Sequence, residues 1–218
     1  MKLASCSKPV GLVRVKRKIL GLVLAGGKSK RFGQDKASYA FHDGICQLDY
    51  AMRLLDTFCE RTVVSVGESR SRSTLEESNY DWIRDVPGIQ GPIGGVMSGL
   101  IEAGGKGLLV VACDMPLLEA SLILRLLTQR DEGRRATCYL ATDGKPEPLC
   151  TIYEPDCLPL LEKATEDGQM SLRRFLTIEN VARVPCRSPK LLASLNTEED
   201  VDRLRSIVSE ERCLDSAC

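Results

Sequence analysis

The sequence predicts an α/β fold with a largely parallel sheet and helices on both faces, and two observations lead there. Short apolar runs alternate along the chain with segments that are apolar at helical spacing. The strongest runs, residues 19–25 (ILGLVLA) and Gly107–Ala112 (GLLVVA), are almost continuously apolar, as strands buried on both faces must be. Short connections between such units favour parallel neighbours joined by helices. In sheets of this kind ligands bind outside the carboxyl ends of the strands.

Taken in order, the run at 19–25 is the first strand. Leu48, Met52, Leu55 and Phe58 recur at helical spacing. Residues 62–66 (TVVSV) read as the second strand, and Trp82 and Ile83 as a short third one ending before Asp85. A glycine-rich turn leads into a helix over 93–103, and strand 107–112 ends at Cys113-Asp114. A helix is expected over 117–129, strands over 137–141 and 148–153, and helices over 155–164 and 171–176. Thr197 is a plausible N-cap for the last helix, with Asp200 at N3 and an acidic first turn suited to the helix dipole.

Composition narrows the chemistry. Lysine plus arginine equals aspartate plus glutamate, 30 against 30, which argues against a protein held globally to nucleic acid by phosphate neutralisation. The one histidine, His42, sets aside histidine-base mechanisms and histidine-rich metal sites. The 10 cysteines form no C-x-x-C pair, and several sit in apolar runs, so they are expected as reduced structural thiols. No apolar stretch of signal or membrane-spanning length occurs, so a cytoplasmic protein without a membrane partner is expected.

The most informative stretch leaves the first strand at its carboxyl end and runs from Leu24 to Lys36. Gly26 and Gly27 lack Cβ atoms, so the backbone can turn sharply and its N–H groups can approach an anion. Lys28, Lys30, Arg31 and Lys36 supply positive charge beside them. Such a loop is expected to hold phosphates, the alternative being a basic surface turn. Gly27-Lys28-Ser29 resembles the end of a P-loop, but that motif needs a glycine where Leu22 stands.

The stretch Leu24-Ala25-Gly26-Gly27 through Arg31-Phe32-Gly33 to Asp35-Lys36 resembles the signature of the molybdenum-cofactor guanylyltransferases, within the wider nucleotidyltransferase superfamily. Three later segments agree in order and spacing: Gly91-Pro92-Ile93-Gly94-Gly95, Cys113-Asp114-Met115-Pro116 and Leu195-Asn196-Thr197-Glu198-Glu199. The resemblance spans residues 19–207. It implies a three-layer α/β/α Rossmann-like nucleotidyltransferase fold. The residues themselves lead to the expectation of a loose basic arm over 1–17, the domain over 18–210 and a disordered tail over 211–218. The resemblance also implies transfer of GMP from GTP to molybdopterin or molybdenum-molybdopterin with release of pyrophosphate, and transient contact with other molybdenum-cofactor proteins. Leu24, Ala25 and Gly26 would contact the nucleotide through their backbones, Lys36 would bind phosphate, and Asp85 would lie near the guanosine. Asp114 would hold magnesium, and Asn196 would sit near the pterin-side substrate or the metal. Two departures stand out: no asparagine follows the second strand, which continues Ser65-Val66-Gly67-Glu68-Ser69, and Ser194 replaces a common asparagine.

The residues suit that reaction. A phosphate nucleophile is already anionic and needs no strong base, so the work is alignment of two polyanions and stabilisation of their charge. Asp114 is a hard oxygen ligand fit for magnesium, and it also stands where it would cap a helix after Pro116. Arg31 is expected to grip the leaving phosphates. Gly27 leaves room for a guanine edge. Gly94 and Gly95 either let a helix N-terminus approach a second-substrate phosphate or serve close packing. A cytidylyltransferase or sugar-phosphate nucleotidyltransferase of the same fold, and a non-catalytic nucleotide-binding adaptor, remain open on sequence alone.

Overall fold

The computed structural model describes residues 17–25, 36–42, 44–67, 80–141 and 143–215. Its centre is β1 (Arg17–Leu24), flanked by β4 (Cys59–Val66) and β6 (Gly107–Ala112). With β5 (Trp82–Arg84), β7 (Ala136–Leu140), β8 (Pro146–Tyr153) and β9 (Ala182–Pro185) these make a seven-stranded sheet in the order β5-β4-β1-β6-β8-β7-β9. Only β8 runs against the rest, pairing antiparallel with both β6 and β7. A small antiparallel pair, β2 (Ala40–His42) and β3 (Ile45–Cys46), stands apart.

Alternating side chains of the central strands feed two separate cores, which is why the sheet needs helices on both faces. Ile19 and Val23 of β1 with Leu109 and Val111 of β6 point to one core. There they meet α1 (Gln47–Asp56), α3 (Ala120–Thr128) and the start of α6 (Glu198–Asp215). Leu20 and Leu22 with Leu108 and Val110 point to the other, under α2 (Pro92–Ala103), α4 (Cys157–Glu166) and α5 (Leu172–Ile178). The expected three layers are therefore present.

Local chemistry sets the helix ends. Gly91, with φ 85°, and Pro92 open α2, and Gly104 in the left-handed region closes it. At α6 the expected cap forms: Thr197 Oγ1 accepts from the Asp200 amide at 3.3 Å, and Asp200 Oδ2 accepts from the Thr197 amide at 3.0 Å. That helix runs past the boundary expected at 210 as far as Asp215, through a stretch free of glycine and proline. Of the arm expected over 1–17, only Arg17 falls within the described residues, as the first residue of β1. The helix expected from 117 begins at Ala120 instead, with Glu119 as its N-cap, so Asp114 does not cap it. Cys46, Cys59, Cys113, Cys138, Cys150, Cys157 and Cys186 carry no disulfide.

The topology decides where a ligand goes. From β1 the chain moves outward through β4 to β5, then returns to lay β6 on the other side of β1. The switch between β1 and β6 opens a crevice at their carboxyl ends.

Candidate active site

The carboxyl ends of four parallel strands are stitched together at that crevice by the backbone. Ala25 donates its amide to the Ser65 carbonyl at 2.9 Å, Cys113 to the Leu24 carbonyl at 3.1 Å, and Asp85 to the Val66 carbonyl at 3.1 Å. Leu24 and Ala25, where the loop expected to hold phosphates begins, are thus fixed between β4 and β6. Gly26, Gly27 and Arg31 lie outside the described residues. Lys36 opens a short 3-10 turn, Lys36–Ser38, and its side chain lies outside what the structure describes.

Asp114 follows β6. Its backbone carbonyl accepts the Leu195 amide at 2.8 Å, which brings Asn196 beside it from a segment distant in sequence. The Asn196 amide is in turn fixed on Asp200 Oδ2 at 2.9 Å. Burial alone would raise the pKa of Asp200. The amides of Asn196 and Thr197, with Arg203, outweigh that and hold it below the usual carboxylate range.

Sequence reasoning missed Glu147. Val111 pairs with Cys150 in the antiparallel β6–β8 register, and just beyond it Glu147 of β8 comes close enough to Asp114 to feel its charge. Burial pushes the Glu147 carboxyl up, and the Asp114 charge adds to the rise. Both its oxygens are engaged: Oε1 accepts the Leu149 amide at 2.9 Å and Oε2 the Arg173 guanidinium at 3.3 Å. Asp114 Oδ1 is shielded from solvent, and the two carboxylates add to each other's negative potential. Among the described residues no three His, Cys, Asp or Glu side chains gather as a metal cluster. One or two carboxylates suffice for magnesium, whose remaining ligands are substrate phosphates and waters.

On the other side of β1, Asp85 at the end of β5 accepts a hydrogen bond on Oδ1 from the hydroxyl of Ser65, a residue only 1% exposed. Gly95 of α2 lies against this pair. A Cβ added there would meet Leu24 Cδ2 and Ser65 Oγ at 2.6 Å each and Asp85 Oδ1 at 3.1 Å. Gly94 is similarly tight, its added Cβ lying 3.0 Å from the Ile89 carbonyl. The residues expected to meet a second substrate thus divide: the two glycines pack on the Asp85 side, while Asn196 adjoins Asp114.

Residues 21–184 match the model of the MobA-like NTP transferase domain. The chain belongs to this family. A probable molybdenum cofactor guanylyltransferase of Mycobacterium avium is 31% identical over 190 residues, covering 85% of this chain and 94% of that protein. A molybdenum cofactor biosynthesis bifunctional protein of Synechocystis is also 31% identical over 85% of this chain. The match spans 53% of that longer protein. Among solved structures, molybdopterin-guanine dinucleotide biosynthesis protein A from Archaeoglobus fulgidus shares the fold. Its TM-score is 0.72 at 23% identity, and 88% of this chain and 99% of that one are covered. Membership of this family makes the protein a nucleotidyltransferase by fold and by sequence.

Proposed function

We propose that this protein is a molybdenum cofactor guanylyltransferase. It transfers GMP from GTP to molybdopterin, or to its molybdenum-bearing form, and releases pyrophosphate. The observation that carries the reading is the Leu195–Asp114 hydrogen bond, which joins the segments of Asp114 and Asn196 near the carboxyl end of β1. It ties together two distant segments that carry a carboxylate and a carboxamide, next to the crevice that topology reserves for ligands. The names of relatives about 30% identical over most of both chains support the same substrates.

In this mechanism the glycine loop and Lys36 neutralise and align the triphosphate, Arg31 grips the departing pyrophosphate, and Asp114 anchors magnesium. That cation, when bound, offsets charge on the transferring phosphate. Asn196, its backbone pinned by Asp200 and by the neighbouring Leu195–Asp114 bond, would offer its carboxamide to the second substrate. No residue needs to act as a strong base, because the attacking phosphate oxygen is already anionic. GTP, molybdopterin and magnesium are the ligands of this reading, and handover among molybdenum-cofactor proteins its setting. The cytoplasm is the proposed compartment, and no helix among the described residues is long and apolar enough to cross a membrane.

The test is thermal stabilisation by GTP, CTP, UTP and ATP, each with and without magnesium. A ligand at 100 times its Kd adds about 2.7 kcal/mol to the native state. GTP with magnesium is expected to give the largest shift. A larger shift with CTP or UTP would move the protein to a sister chemistry, and no shift with any of the four would refute nucleotide binding by the free enzyme.

A further inference from the structure

The Ser65–Asp85 pair sits away from the phosphate chemistry, and its surroundings indicate what it does. Neighbouring strands lie about 4.8 Å apart, so the ends of β5 and β6, three places apart in the sheet, are separated by about 14 Å. An extended nucleotide spans a comparable distance from its base edge to its phosphates. With the phosphates at the β1 loop and Asp114, the base falls toward β4 and β5. Charge agrees with this orientation. A carboxylate such as Asp85 repels phosphate but accepts N–H donors, and guanine alone among the common bases offers two adjacent donors, N1–H and N2–H, on one edge. Cytosine and adenine each set a ring acceptor beside their amino group.

A carboxylate discriminates only if its plane is fixed. The Ser65 hydroxyl donates to Asp85 Oδ1 from a buried position where water does not compete. The same residue accepts the Ala25 amide through its carbonyl, which ties the carboxylate to the first residue of the phosphate loop. Gly95 is the third part: any side chain there would occupy the space of the Ser65 hydroxyl.

We propose that Ser65 is a positioning residue for base selection: its hydroxyl, with the gap left by Gly95, orients Asp85 so that the carboxylate reads the N1–H/N2–H edge of guanine. The inference rests on GTP being the donor nucleotide. It deepens that reading by naming the residue that fixes the orientation of the Asp85 carboxylate.

The experiment compares kcat and KM for GTP and for inosine triphosphate, which lacks the 2-amino group, in the wild type, Ser65→Ala, Asp85→Asn and the double variant. The wild type is expected to prefer GTP. Ser65→Ala should lower kcat/KM for GTP about tenfold, mainly through KM, the effect of one hydrogen bond to a charged group. The loss with inosine triphosphate should be smaller, so the preference narrows. Asp85→Asn should narrow it too, and the double variant should lose little more, because the residues act as one unit. Equal losses with both nucleotides, or losses that add in the double variant, would overturn the proposal. Should Ser65→Ala fold poorly, Ser65→Cys and Asp85→Asn carry the same comparison. A wild type that ranks another nucleotide above GTP overturns the functional reading itself. An unchanged GTP preference in active variants overturns only this one.

Discussion

Gly95 and Gly99 lie one turn apart on the face of α2 that rests on the sheet, and they separate packing from function. An added Cβ at Gly95 would approach Leu24 Cδ2 and Ser65 Oγ at 2.6 Å; at Gly99 it would approach Leu22 Cδ2 at 2.7 Å and Leu108 Cδ2 at 2.8 Å. Both are overpacked, at a cost of about 1–3 kcal/mol. Each Gly→Ala change also gains about 1 kcal/mol of helix propensity. The expected net is about 1 kcal/mol of destabilisation at either site, lowering Tm by about 2–4 °C for a domain of this size. The consequences for ligand binding differ. Gly95→Ala intrudes on Ser65 and Asp85 and should weaken GTP-dependent stabilisation, whereas Gly99→Ala touches only Leu22 and Leu108 and should leave it intact. Tm with and without GTP reads both quantities. A rise in Tm of a few degrees for Gly95→Ala would refute the close approach of α2 to the sheet. Equal loss of GTP response in both variants would refute a site-specific role for Gly95.

Other perturbations reach other parts of the molecule. Arg130 and Glu154 form a two-pronged pair, 2.7 Å at each contact, with side chains 13% and 6% exposed. Glu154→Ala leaves the guanidinium to Glu132, an exposed carboxylate 3.1 Å away, and should cost about 1–3 kcal/mol in denaturant unfolding. Gln47 is buried at the start of α1, and neither its amide nitrogen nor its oxygen finds a hydrogen-bond partner among the described residues. Gln47→Leu should therefore raise stability by about 1–3 kcal/mol, and a loss on urea titration would show that the amide is satisfied. Asp200 has a folded pKa below its ordinary value near 3.8. Its contribution is present above that value and is lost as pH falls through the folded pKa, so the wild type and Asp200→Asn should differ in Tm at neutral pH and converge in acid.

The parts legible in the sequence were those set by local or periodic chemistry. β1 and β6 announce themselves because strands covered on both faces must be apolar throughout, and the Thr197–Asp200 cap because its partners lie within one helical turn. β9 escaped notice: it is a short edge strand that carries Arg183 and ends in Pro185, as a strand with one unpaired side can. The start of α3 was placed too early because Leu117 and Leu118 are buried in the preceding turn and continue the apolar spacing without being helical. Within the site, Asp114, Asn196 and Asp85 stand in recognisable segments. Glu147 and Ser65 gain their meaning only from strand pairing, Glu147 through the β6–β8 register and Ser65 through its bond across to Asp85. No local pattern encodes either contact. Asp114 caps no helix after Pro116, because that helix starts at Ala120 with Glu119 as its N-cap.

The most direct measurement of the central claim is pyrophosphate release with molybdopterin and each nucleoside triphosphate in magnesium buffer, with the mass of the product determined and Asp114→Asn as the control. The account predicts release with GTP, a product heavier than molybdopterin by one GMP unit, and a loss of at least about a hundredfold in kcat for a folded Asp114→Asn variant. Release with CTP in place of GTP, or turnover untouched by the loss of the Asp114 carboxylate, would contradict it.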